Sequence, residues 1–84
     1  MKQKIFKVPI KELNTTENIH QTPIIARIVN YLSEYGEDTE DLVFLNGLKM
    51  FLKRYQNTKA DETGCIEFEE NEYESYLEFL RRGL

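Results

Sequence analysis

Two short stretches alternate apolar and polar residues with a period of two, and they lie at opposite ends of the chain. In KIFKVPI, residues 4 to 10, Phe6, Val8 and Ile10 share one side while Lys7 and Pro9 take the other; in CIEFE, residues 65 to 69, Ile66 and Phe68 alternate with Cys65, Glu67 and Glu69. A two-stranded ribbon is marginal in water by itself, so such a pair must be covered on its apolar side by whatever lies between and after it. Paired together, the strands set glutamates opposite lysines, a favourable cross-strand arrangement. Proline removes a ladder donor and places the first strand at an edge.

Between the strands the pattern turns helical. TPIIARIVNYLSEYG, residues 22 to 36, offers Thr22 as N-cap, Pro23 at the first helical position and Gly36 as a stop. Ile24, Ile25, Ile28, Val29, Leu32 and Tyr35 form its apolar stripe. A second helix is predicted near 39 to 57, with acids at its start and Lys53 and Arg54 near its end, the order a helix macrodipole favours. Leu42, Val43, Phe44, Leu45, Leu48, Met50, Phe51, Leu52 and Tyr55 make it apolar over so wide an arc that one contact face leaves several of them wet. It is therefore either the central helix or a binding helix. Gly47 in its middle weakens it and suits a close helix crossing.

After the second strand, Asn71 with Glu74 fits an N-cap followed three residues later by a glutamate. Tyr73, Tyr76, Leu77, Leu80 and Leu84 then recur at helical spacing, and Arg81 and Arg82 close a third helix. Residues 11 to 21 and the stretch NTKADETG read as connections. The expected fold is α+β, a single β-α-α-β-α domain with a two-stranded sheet packed on three helices.

Size and charge limit what such a domain can do. Eighty-four residues suffice for one small core and leave little room for a cofactor domain beside a substrate domain. A net charge of −4 disfavours a protein whose affinity comes from neutralising phosphates. No stretch is apolar enough for a membrane span, the start MKQKIFKV has no apolar run of signal-peptide length, and the single cysteine, Cys65, forms no internal disulfide. A reducing cytoplasm is the expected compartment.

KADETGCIEFEE, residues 59 to 70, has the outline of a calcium loop, with Gly64, Ile66 and Glu70 at the sixth, eighth and twelfth places. Lys59 stands at the first place, where the ion needs an oxygen ligand and the ammonium brings repulsion instead. A turn, a strand and an acidic helix start account for the same residues, so no metal site and no cofactor are assigned. His20 is the only histidine and lacks zinc or triad partners. Cys65 lies beside glutamates that disfavour its thiolate. Phosphate loops and nucleophile elbows are absent, and no enzyme, catalytic residue or small-molecule substrate is expected.

VPIKEL opening a strand, TPIIARIVNYL and LVFLNGLKMFLKRY as helices, and CIEFEENEYESYLEFL as strand into helix give a layout. That layout resembles the small proteins encoded by tailed phages and prophages, which often end in a similar run. The resemblance covers most of the chain, consists of element order without a diagnostic motif, and supplies no catalytic residues. It implies an accessory protein that acts by binding, for example by occupying or modifying a host or phage protein as an inhibitor or adaptor.

The function expected is therefore association with a protein partner or with itself as a homo-oligomer. Phe44 and Met50 on the wide arc, and Glu67, Glu69 and Glu72 on an acidic outer surface, are the candidate contact residues. Two alternatives use other residues: a regulator touching nucleic acid through Lys49, Lys53, Arg54 and Lys59, and a weak, degenerate EF-hand-like metal site around Asp61 and Glu70.

Overall fold

The alternating segments at the two ends do find each other. The structure, a computed structural model, describes residues 4–14 and 23–84. Strands β1 (Ile5–Pro9) and β2 (Cys65–Glu69) pair antiparallel. Phe6 stands opposite Phe68 and Val8 opposite Ile66, so the apolar residues share the inner face. Lys7 stands opposite Glu67 on the outer face, as the charge pattern predicts.

Four helices are described: α1 (Ile10–Leu13), α2 (Ile24–Tyr35), α3 (Leu42–Asn57) and α4 (Glu70–Arg81). The fold is α+β with the expected strand, helix, helix, strand, helix order, to which α1 adds a single turn directly after β1. Residues 11–13, expected in a connection, thus belong to a helix, and Leu13 is fully buried in the core. Thr22 and His20 lie outside the described residues; Pro23 occupies the position just ahead of α2, and Gly36 follows its last turn.

The register of α4 differs from expectation. The helix begins at Glu70 with no loop after β2, and Glu69 with Glu72 form its capping box in place of Asn71 with Glu74. The Glu72 carboxylate accepts the backbone N–H of Glu69 at 2.9 Å, satisfying one of the orphan donors of the first turn. With this start, Tyr76 and Phe79 face the core together with Glu72 and Ser75, while Tyr73, Leu77 and Leu80 are only partly covered.

The core is a sandwich of rings between sheet and helices. Phe51 of α3 stacks on Phe68 of β2 at 4.2 Å between centroids and on Tyr76 of α4 at 4.8 Å, so one ring joins three elements. Leu45 and Leu48 extend this core toward Ile28 of α2 and Phe79 of α4. The Tyr76 hydroxyl donates to the Glu12 carboxylate at 2.5 Å, tying α4 to α1. Burial, with the adjacent Glu12 carboxylate, pushes the Tyr76 phenol well above its ordinary pKa.

Helices α3 and α4 run antiparallel, and Gly47 fixes how closely they approach. A Cβ at Gly47 would overlap the Ser75 hydroxyl and lie 2.7 Å from Ser75 Cβ and 3.0 Å from the Asn71 carbonyl oxygen. The close crossing that the glycine suggests is therefore real. The crossing sets the rotation of α3 about its axis and decides which of its apolar residues turn inward.

Candidate protein-binding face

With Gly47 held against Ser75, the apolar arc of α3 divides. Phe44, Leu45, Leu48 and Phe51 are buried. Val43 and Met50, seven residues and two turns apart, lie on the other side of the crossing and remain 87% and 44% exposed. Leu42 is also exposed. Asn46 and Lys53, exposed as well, fall between and beyond this pair at helical spacing.

The Gly47–Ser75 contact separates two shallow grooves between α3 and α4. The first, about 590 Å³, is walled by Val43 on one side and by Glu74 and Leu77 on the other, with Phe44 and Ser75 beneath. The second, about 350 Å³, lies beside Met50, Lys53 and Asn57. An apolar side chain of α3 thus stands at the mouth of each groove.

An arginine fastens each end of this helix pair. Arg82 lies over the Phe44 ring at 4.2 Å and reaches Asp41 and Glu78, each at 2.9 Å. At the opposite end Arg54 grips Glu72 with two bonds, Nε to Oε1 at 2.7 Å and Nη2 to Oε2 at 3.2 Å, and approaches Glu69 at 3.6 Å. Glu72 is 0% exposed, so its charge is neutralised where water cannot reach it. The hydrogen bond from Arg54 to Glu72 is the main cause holding the guanidinium above its ordinary pKa, ahead of the opposing desolvation.

The residues expected at a binding surface are therefore split. Met50 is exposed and Glu67 stands on the outer side of the sheet opposite Lys7. Phe44 is core: its ring is buried under Arg82 and lies beside Tyr31 at 6.0 Å. Glu72 is likewise interior, and Glu69 is half-buried beside Arg54. The late glutamates do not form one solvated face, because position 72 lies one turn before Tyr76 and faces the interior with it. Among the described residues Val43 is the most exposed large apolar residue, and its place among the nine apolar residues of the arc gave no sign of this.

The residues of the other two readings have local roles. Arg54 is occupied by Glu72 and Glu69, and Lys49 lies beside Gly36 at the end of α2. Asp61 Oδ1 accepts the Thr63 N–H at 2.9 Å, the Thr63 hydroxyl at 2.6 Å and the Cys65 N–H at 3.1 Å, while Oδ2 lies 3.3 Å from Lys7 Nζ. These hydrogen bonds, the Thr63 hydroxyl foremost, hold the Asp61 carboxyl well below its usual range. Gly64 completes the turn with a φ of 79°, a backbone state that glycine adopts without penalty. Among the described residues no three His, Cys, Asp or Glu side chains are grouped to hold a metal ion, and no helix is long and apolar enough to cross a membrane.

No protein-family model, no curated protein and no solved structure matches the chain.

Proposed function

We propose that the protein acts by binding a protein chain across the outer face of α3 and the neighbouring edge of α4, without catalysing a reaction. The observation that carries this reading is the pair Val43 and Met50: two large apolar side chains, two turns apart, left exposed on a helix whose Phe44, Leu45, Leu48 and Phe51 build the core. Covering a side chain of this size contributes roughly 1.5–3 kcal/mol, so a partner that seats both gains a substantial share of a micromolar affinity. The Gly47 crossing and the two arginine clamps hold the face in one shape before a partner arrives, which lowers the ordering cost of association. An accessory protein of the kind implied by the layout's likeness to small phage proteins would work through such a face.

Val43→Asp tests the reading. The wild-type chain should associate, with itself in sedimentation or with another protein in affinity capture. The variant should lose that association while its melting temperature stays within a few degrees of wild type. A wild-type chain that stays monomeric and captures no protein that the variant fails to capture would refute the proposal.

A further inference from the structure

We propose that Asn46 is a modification site, where the side-chain amide is lost through a ring closed by the Gly47 nitrogen, and that wound α3 keeps the site shut. The chain holds six asparagines, and only Asn46 is followed by glycine. With no Cβ on the following residue, the attacking nitrogen is unhindered and the backbone around it turns freely once the helix opens. The fold holds that glycine in place, because a Cβ there would overlap the Ser75 hydroxyl. The close crossing of α3 and α4 therefore retains a chemically labile pair in the middle of α3.

The step needs no reactant other than water. The Gly47 backbone nitrogen gives up its proton and bonds to Asn46 Cγ; the bond from Cγ to Nδ2 breaks, and the side-chain nitrogen leaves as ammonia. Water then opens the five-membered imide at either carbonyl. Position 46 becomes aspartate or, with the main chain rerouted through Cβ, isoaspartate.

Helix α3 opposes the closure in two ways. As an interior helical residue, Gly47 donates its N–H to the Val43 carbonyl, which keeps the proton in place. The ring also requires Asn46 Cβ and the Gly47 nitrogen to eclipse across the Cα–C bond, a rotation of about 80° from the helical ψ near −42°. With Gly47 packed on Ser75 and an arginine at each end of the helix pair, that rotation must await an opening of α3. Exposure of the Asn46 side chain is thus insufficient for reaction, and the rate follows how often the helix opens. The product is permanent: it places a carboxylate between Val43 and Met50, and the isoaspartate form adds a main-chain atom to the turn that meets Ser75.

The test incubates the full chain in mildly alkaline buffer, natively and in denaturing urea, and reads position 46 by digestion and mass spectrometry. In urea Asn46 should convert ahead of the other asparagines, and in native buffer it should convert at least about tenfold more slowly. Urea below the unfolding transition should raise the native rate progressively, as should Arg54→Met, whose rate in full urea should match wild type. Asn46→Gln, which would need a ring one atom larger, should stay unconverted in both conditions. Another asparagine converting first in urea, or a native rate equal to the unfolded rate, would overturn the proposal. So would a native rate indifferent to mild urea and to Arg54→Met, since Asn46 would then react from the wound helix.

Discussion

The inner and outer faces of α3 are made of similar residues and have opposite fates. Inward, Phe44, Leu48 and Phe51 join the core with residues of α2, α4 and the sheet; outward, Val43 and Met50 stay exposed and lie outside that core. Apolar character alone does not separate the two sets. Rotation about the helix axis does, and that rotation is fixed by Gly47 against Ser75 and by Arg54 and Arg82 at the two ends. The comparison teaches that this helix is central and surface-active at once, so substitutions on its two faces should separate stability from association. Phe51→Ala should show the largest effect on stability, about 3–5 kcal/mol in urea unfolding, because one ring is removed from contacts with both Phe68 and Tyr76. A loss under about 1 kcal/mol would mean that the stack does not hold the inner face.

The next two predictions concern what fixes the rotation. Arg54→Met leaves the Glu72 carboxylate buried without its cation, and a cost of about 3 kcal/mol is expected, at the lower end for a broken buried pair since Arg54 is itself partly exposed. Adding Glu72→Met should recover part of that loss by removing the stranded charge, but not the part owed to capping Glu69. An additive double variant would argue against the pairing. Gly47→Ala sets a helix-propensity gain of about 1 kcal/mol against overpacking of about 1–3 kcal/mol. Loss should win, because the obstructing atoms include Ser75 Cβ and a backbone carbonyl, which do not swing aside. In a Ser75→Gly background the same substitution should cost less, with the Asn71 carbonyl as the remaining obstruction, a coupling that thermal melts of the four proteins would measure.

How much of this can be read from sequence follows from which interactions are local. Period-two alternation is a local signal, and it placed β2 at Cys65–Glu69 and the Lys7–Glu67 pair across the ribbon. Helix α1 escaped because four residues are too few to show a helical period, and only the burial of Leu13 reveals its purpose. Asn71 is a better N-cap by residue type than Glu69, yet β2 runs straight into α4, so Glu69 holds the cap position and takes Glu72 with it. That shift turned Glu72 inward beside Tyr76 and Phe79, the latter a core residue that the expected stripe omitted. Choosing Phe44 over Val43 as the exposed residue failed for a tertiary reason: adjacent positions on a helix differ by about 100°, and only the Gly47–Ser75 contact says which of the two faces out. The turn around Asp61 was legible in part, since Lys59 argues against a calcium loop, whereas the capture of Asp61 by Thr63, Cys65 and Lys7 depends on the folded chain.

Val43→Asp should have the smallest effect on stability, and it sharpens the comparison most. Val43 is the second residue of α3, where the first turn has unpaired N–H groups and the positive end of the helix dipole. An aspartate there gains about 0.3–1 kcal/mol from the dipole and gives up almost no buried area, because valine is already 87% exposed. Unfolding should therefore be unchanged or slightly harder, while a carboxylate placed on the outer face disfavours any apolar partner. A large loss of stability would show that Val43 packs within its own chain and that the outer face is an extension of the core. Unchanged stability with association lost would show that the two faces of one helix serve separate ends, the inner one folding the chain and the outer one meeting another.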